Sequence, residues 1–162
     1  MSSRTPRSRL TPAPANTWAA LQSDQAREST RSKARRRALE ILFEAEQRGI
    51  EAADVLQRRD EDGAAVNPYT RELVGGVSTH TTQLDEVLTT YAQGWTLDRM
   101  PAVDRAALRI GLWELLYNDE IPDAVAVDEA VRLVREMSTS ESPDFVNGLL
   151  GRLQRIKPTL IL

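Results

Sequence analysis

The spacing of apolar residues predicts a chain of α-helices that begins near residue 32. Between residues 32 and 48 apolar residues recur three and four positions apart, and Gly49 ends the pattern. A short helix is predicted over 52–59. The longest apolar stripe covers about 68–91, where Asn67 and Pro68 form a favourable helix start. No useful stretch alternates apolar and polar residues as a strand does, so the pattern predicts an all-α fold.

The second half of the chain predicts a buried central helix and two that follow it. Segment 103–118 is apolar around its whole circumference, which is typical of a helix enclosed by others. Further stripes over 127–137 and 142–156 predict two more helices, and Pro158 ends the last. Gly75 and Gly76 interrupt the long stripe at a cost of about 1 kcal/mol each relative to alanine. We therefore expect another helix to approach closely there.

Composition divides the chain into a tail and a body. Residues 1–16 are rich in Ser, Thr, Pro and Arg, and residues 17–30 offer only a weak extra turn of helix near Trp18. We expect 1–30 to be a disordered basic tail and 31–162 to be a single helical domain. Residues 1–37 hold nine Lys/Arg and two Asp/Glu, whereas the rest holds twelve and twenty-two, inside a net charge of −3. This uneven distribution of charge suggests two different partners.

The residue inventory excludes several classes of protein. No apolar run approaches the roughly 20 residues that span a bilayer, no apolar signal segment follows the N-terminal arginines, and cysteine is absent. We therefore expect a cytoplasmic protein that does not bind a membrane. The single histidine, His80, lies on the apolar stripe, where packing is the simpler role. There is also no glycine-rich phosphate loop and no histidine pair for a metal. We therefore expect no catalysis, no cofactor and no metal.

The first predicted helix carries the candidate nucleic-acid site. At about 100° per residue, Lys33, Arg36 and Arg37 fall on the face opposite the apolar stripe, with Phe43 beside them. Guanidinium groups hold phosphates, and an exposed ring stacks on an unpaired base. The alternative is a solvated charged face that pairs with Glu40, with Phe43 covered by a neighbouring helix. Composition alone leaves both open.

Acidic residues around the central helix suggest a second surface. Asp98, Asp104 and Glu114 lie in or near it, together with Trp95 and Trp113. Exposed aromatic and acidic groups suit a basic protein partner. The alternative is that both tryptophans belong to the core, which is the simpler interpretation for Trp113.

Three segments together resemble the NusB transcription antitermination factors. They are ARRRALEILFEAEQRG (34–49), VDRAALRIGLWELLY (103–117) and IPDAVAVDEAVRLVREMSTSESPDFVNGLLGRL (121–153), and they come in the family's order and spacing. The resemblance covers about 31–153 and leaves 1–30 outside. It implies two small helical bundles packed on each other, with about seven helices.

The resemblance also implies a function and partners. Such a protein binds the boxA sequence in the leader RNA of ribosomal RNA operons together with NusE, a ribosomal small-subunit protein. The pair joins NusA and NusG on RNA polymerase, and antitermination follows. Family members occur as monomers and as homodimers, so a homodimer stays possible.

Carried over position by position, the resemblance assigns two groups of site residues. Arg31 and Arg35 project nearer the apolar edge than Arg36, but long side chains can reach outward from the first turn. Glu141 stands where the family often has aspartate, which leaves its role open. The RNA-binding group is Arg31, Lys33, Arg35, Phe43, Phe145 and Asn147, with Arg36 and Arg37 as local additions; the group facing NusE is Asp98, Asp104 and Glu141.

Two other functions remain open at this point. One is a purely structural helical adaptor whose basic tail serves solubility. The other, more remote, is the NusB-like domain of an RNA cytosine methyltransferase. A methyl-donor-binding α/β domain would have to follow Leu162, where this sequence ends.

Overall fold

The computed structural model describes residues 15–160 and assigns side-chain exposure from residue 17. Within that range there are helices and no strand, which confirms the all-α prediction. The described residues form six α-helices instead of about seven, together with two short 3₁₀ helices, Leu97–Arg99 and Lys157–Thr159. The α-helices are α1 (Ala15–Arg48), α2 (Ala52–Glu61), α3 (Pro68–Tyr91), α4 (Ala102–Tyr117), α5 (Asp123–Met137) and α6 (Ser142–Ile156).

The chain divides into two units, residues 1–30 and 31–162. In the first unit, residues 15–30 are helical, whereas the sequence predicted disorder over 1–30. Alanine, glutamine, glutamate and arginine favour helix locally without any core. An ion pair of 3.3 Å between Arg27 and Asp24 and a hydrogen bond from Thr30 Oγ1 to the Ala26 carbonyl add local support. The remainder of the predicted tail, 1–14, lies outside the described residues.

The second unit is organised around α4. Helix α4 packs against α3, α5 and α6. In addition, α2 packs against α3, and α5 packs against α6. Two small helical bundles thus share α4, whose side chains are buried nearly all the way round. The predicted start of α3 is confirmed, because the Asn67 side chain accepts a hydrogen bond of 2.8 Å from the Tyr69 amide. Over residues 15–160, none of the helices could span a lipid bilayer.

The two glycines inside α3 have different surroundings. A Cβ atom on Gly76 would overlap the indole ring of Trp113 in α4, whereas a Cβ on Gly75 would meet open space. The predicted close approach of a second helix is therefore confirmed at Gly76 only. Trp113 itself is 6% exposed, which confirms its place in the core.

Candidate nucleic-acid interface

The outward side of α1 within the second unit carries Lys33, Arg36, Arg37 and Phe43, which we call the basic face. All four side chains are exposed, and Phe43 shows 36% of its surface to solvent. Their neighbours Ala34, Ala38 and Ile41 are buried, as the helical period requires. The structure thus brings the ring and three cations to one side of the helix, and it does not cover Phe43.

Carboxylates accompany two of these cations. Arg36 Nη2 lies 2.7 Å from a carboxylate oxygen of Glu136 in α5, and Arg37 Nη1 lies 3.6 Å from Glu40 one turn along. Exposed pairs of this kind contribute about 0–1 kcal/mol each, so an incoming phosphate can replace the carboxylate. Lys33 makes no ion pair with the described residues. The alternative of a charged face pairing with Glu40 holds for Arg37, whereas Arg36 pairs with another helix.

Arg35 lies in the interior, so its predicted place on the RNA-contacting surface is wrong. Its side chain is 0% exposed, and Nε donates to both carboxylate oxygens of Glu114 at 2.9 and 3.0 Å. Glu129 lies 3.6 Å from Nη1, and the Tyr69 hydroxyl donates to Glu114. Burial raises the pKa of Glu114, although the Arg35 hydrogen bond and charge oppose the rise. The sequence signal for this partner was the position of Glu114 in α4, where apolar residues surround it on both sides along the chain.

Arg31 lies at the edge of the basic face, where its side chain is 27% exposed. Its guanidinium group stands 5.8 Å from the centre of the Tyr69 ring, and Nη2 is 3.9 Å from a carboxylate oxygen of Glu120. The arginine is therefore held over an aromatic ring and close to an exposed carboxylate. The helical projection placed both Arg31 and Arg35 toward the apolar edge, but only Arg31 reaches the surface.

The two predicted RNA-binding residues of α6 lie near its start. Asn147 is exposed, and Phe145 is half-buried against Trp95, with ring centres 5.1 Å apart. Trp95 keeps 39% of its surface exposed and is not part of the core. Beside Phe145 a cleft of about 240 Å³ opens between the end of α3 and α6. Its lining residues are Tyr91, Ala92, Gln93, Asp144, Phe145, Gly148, Leu149 and Arg152, and we call it the aromatic cleft.

The three predicted partner-facing acids divide into one buried and two exposed. Asp98 and Glu141 are exposed. Asp104 is 0% exposed, so the expectation that it faces a partner is wrong. The Ser138 hydroxyl donates to Asp104 at 2.6 Å and accepts from the Ser142 hydroxyl at 3.1 Å. This chain of hydrogen bonds joins the start of α4 to the end of α5 and the start of α6.

His80 has the contacts of a packing side chain. Its ring stacks on Tyr117 with centres 4.0 Å apart, and Nδ1 lies 2.9 Å from the carbonyl oxygen of Gly76. Both contacts involve groups that take no part in the basic face. The histidine thus helps to join α3 to α4, as its place on the apolar stripe predicted.

Residues 32–155 match the model of the NusB family. A protein of Arthrobacter sp. (strain FB24) named transcription antitermination protein NusB is 63% identical over 134 residues, 82% of this chain and 98% of its own length. Its namesake from Nocardioides sp. is 56% identical with the same coverage of both chains. The solved structure of T. maritima NusB superposes with a TM-score of 0.70 at 28% identity, covering 77% of this chain and 90% of that one.

A structure of antitermination factors NusB and NusE in complex with double-stranded RNA superposes with a TM-score of 0.68 at 25% identity. The match covers 77% of this chain and 96% of that one. Sequence and structure thus agree over both helical bundles of the second unit. This chain belongs to the NusB family.

Proposed function

We propose that this chain is a non-catalytic transcription antitermination factor that binds single-stranded boxA-type leader RNA of ribosomal RNA operons. In this proposal it acts together with a NusE partner and joins NusA, NusG and RNA polymerase in the cytoplasm. The names of the relatives, and the solved complex of a family member with NusE and RNA, support it. The observation that carries it is the basic face, where an exposed ring and three exposed cations share one side of α1.

Binding follows from the chemistry of these groups. Arg36 and Arg37 present planar donors that match phosphate oxygens, and Lys33 adds a compact positive charge. Phe43 offers a flat surface for one base, and such stacking tolerates any base. Since the ring and the cations stand on one rigid helix, they are already in place before RNA arrives, which lowers the entropic cost of binding.

Two exposed acids form the proposed surface for the NusE partner. Asp98 lies in the 3₁₀ helix before α4, and Glu141 lies at the turn before α6. Asp104 would act indirectly, because its hydrogen bonds through Ser138 and Ser142 hold the Glu141 turn against α4. The acids supply attraction for a basic protein, which mainly speeds encounter and fixes register.

RNA titrations at several salt concentrations test the nucleic-acid part of the proposal. If about four phosphates are neutralised, affinity should fall about fiftyfold between roughly 50 and 200 mM salt. Replacing Lys33, Arg36 and Arg37 with alanine should weaken binding and reduce the magnitude of the logarithmic salt slope by about 2. The Phe43→Ala variant should lose about 5- to 150-fold in affinity with little change in slope, and Phe43→Tyr should retain most of it.

A variant with the same change in net charge provides the control. Arg58, Arg59 and Arg71 lie on α2 and α3, outside the basic face, and their triple alanine variant should bind RNA nearly as wild type. Circular dichroism of each variant checks that helix content is unchanged. Equal loss in both triple variants, or affinity that is indifferent to salt, would remove the basic face as the site.

Pull-down with NusE tests the partner surface separately. The Asp98→Asn/Glu141→Gln variant should bind NusE more weakly, and the loss should shrink at high salt. Asp62→Asn/Asp119→Asn removes two other exposed acids and should behave as wild type. NusE binding without any affinity for boxA-type RNA, alone or with NusE, would instead support the helical adaptor.

A further inference from the structure

One arginine of α4 holds the segment that carries Asp98, an exposed acid of the proposed partner surface. Arg105 lies near the start of α4, and its Nη1 donates hydrogen bonds of 2.8 Å to the Leu97 carbonyl and 2.7 Å to the Met100 carbonyl. These two carbonyl groups lie on either side of Asp98 along the chain. A single guanidinium nitrogen thus bridges the 3₁₀ helix to which Asp98 belongs.

This 3₁₀ helix has little structure of its own. Its three residues are followed by Met100, whose amide donates to the carbonyl oxygens of Thr96 and Leu97, both at 3.2 Å. Residues 93–99 are exposed apart from Leu97, which is partly buried. Because the hydrogen bonds of a 3₁₀ helix have poorer geometry than those of an α-helix, contacts from outside the segment decide where it lies.

Arg105 is itself held in place. Its side chain is 14% exposed, and its Nη2 donates to a carboxylate oxygen of Glu46 in α1. The other carboxylate oxygen of Glu46 lies 3.0 Å from Nη1 of Arg109, so this carboxylate is fixed between two arginines. The planar guanidinium group of Arg105 therefore joins α1, α4 and the 3₁₀ helix, and a pre-organised group of donors loses little freedom for each hydrogen bond that it makes.

The preceding residue of α4 holds the segment that carries the other exposed acid. Asp104 accepts a hydrogen bond of 2.6 Å from Ser138, which in turn accepts one from Ser142 beside the Glu141 turn. Asp104 and Arg105 are consecutive. The start of α4 thus binds both segments on which the proposed partner-facing acids lie.

We infer that Arg105 is a positioning residue of the partner surface, which fixes the backbone on both sides of Asp98 and so orients the Asp98 carboxylate toward NusE. Arg105 acts through Asp98 and does not itself contact the partner. This inference rests on the proposed function and extends it to a residue that the sequence did not single out.

The charge of Arg105 and its hydrogen bonds predict opposite results for its removal. Loss of a positive charge should by itself strengthen the attraction of this surface for a basic partner. If Arg105 positions Asp98, however, Arg105→Ala should weaken NusE binding by about 2- to 5-fold, as should Asp98→Asn. The direction of the change therefore separates the two roles.

A double-mutant cycle tests whether the two residues act as one unit. Isothermal titration calorimetry measures the dissociation constant of NusE for Arg105→Ala, Asp98→Asn and the double variant. The double variant should bind about as weakly as Asp98→Asn alone, because positioning has no effect once the carboxylate is gone. Arg105→Lys should fall between wild type and Arg105→Ala, since an ammonium group can donate to the two carbonyls but lacks the second nitrogen that reaches Glu46.

Arg109→Ala is the matched control. Arg109 is also an arginine of α4 bound to Glu46, but its other hydrogen bonds, of 2.8 and 3.0 Å, go to Asp85 of α3. Arg109→Ala removes the same charge and should lower the free energy of unfolding, but it should not weaken NusE binding. In the absence of NusE, boxA-type RNA should bind the Arg105 and Arg109 variants equally. Circular dichroism checks that helix content is unchanged.

Hydrogen exchange measured by NMR reports on the 3₁₀ helix in the absence of NusE. The amides of Arg99 and Met100 donate to the Thr96 carbonyl at 3.0 and 3.2 Å. In Arg105→Ala both amides should exchange about fivefold faster or more, because the segment opens more often. In Arg109→Ala their exchange should stay as in wild type.

The outcomes separate this inference from the proposed function. If Asp98→Asn weakens NusE binding and Arg105→Ala does not, or if the two losses add in the double variant, the positioning role is wrong and the partner surface stands. If Arg109→Ala weakens NusE binding as much as Arg105→Ala, a general loss of stability explains the effect and the inference is wrong. If neither Asp98→Asn nor Arg105→Ala changes NusE binding, the proposed partner surface fails and the inference fails with it.

Discussion

Arg35 in α1 and Glu114 in α4 form a buried ion pair, with Nε of the arginine 2.9 and 3.0 Å from the two carboxylate oxygens. Neither side chain is more than 1% exposed. Because Arg35 points inward, the residues on the opposite side of the helix, Lys33, Arg36 and Arg37, must point outward. The pair therefore fixes the rotation of α1 about its own axis, and with it the orientation of the basic face.

Breaking this pair should be costly. Arg35→Met leaves the Glu114 carboxylate buried without its cation, so the free energy of unfolding should fall by about 3–5 kcal/mol. Urea denaturation followed by circular dichroism measures the loss. The double variant Arg35→Met/Glu114→Met, which removes both charges, should recover much of that stability. If the double variant instead loses as much free energy of unfolding as Arg35→Met and Glu114→Met lose together, the two charges do not act as a pair.

Two adjacent glycines in α3 should respond oppositely to alanine. Gly76→Ala forces a methyl group into the indole of Trp113, so we expect a loss of about 1–3 kcal/mol. Gly75→Ala meets open space on an exposed helical position and should add about 0.5–1 kcal/mol. Thermal denaturation of both variants measures the difference. Equal destabilisation would mean that helix flexibility, and not the contact with Trp113, requires the glycines.

Glu46 should make stability depend on pH. This residue of α1 is 3.0 Å from Arg109 and also bonds Arg105, both in α4, and Arg109 bonds Asp85 of α3. Desolvation alone would raise the pKa of Glu46, but the hydrogen bonds and charges of the two arginines outweigh it and lower that pKa from its usual value near 4.5. Because the pKa of Glu46 is lower in the folded state, its ionised carboxylate stabilises the fold at every pH above the usual pKa. This stabilisation is lost as the pH falls through the lowered pKa of the folded state.

The matching variant is Glu46→Gln. It should lower the free energy of unfolding by about 0.5–1 kcal/mol at neutral pH, and the difference from wild type should vanish as the carboxyl group becomes protonated. Denaturation at about pH 7 and about pH 3 measures it. Glu72→Gln, at an exposed position of α3, is the control and should show no such dependence. A constant difference at both pH values would contradict the assignment.

The periodicity of apolar residues was sufficient to predict the helices of the second unit. Buried positions such as Ala38, Ile41 and Leu73 recur with the helical repeat, and Asn67 with Pro68 marks a helix start that depends on neighbouring residues only. The same projection placed Lys33, Arg36, Arg37 and Phe43 outside, where the structure has them. The helix over 15–30 was missed because it buries almost no apolar side chain, so the sequence contains no periodic apolar pattern that would predict it.

The sequence by itself determined the helical segments and the exposed side of α1, because a repeat of 3.6 residues assigns each side chain to a face. Only the tertiary structure decided which charged groups are buried. Arg35 meets Glu114 from 79 positions away and Asp104 meets Ser138 from 34 positions away. Trp95 and Trp113 likewise separate into surface and core through packing against Phe145 and Gly76. The surroundings of a charge or a ring depend on what the fold brings beside it, and local sequence does not contain that information.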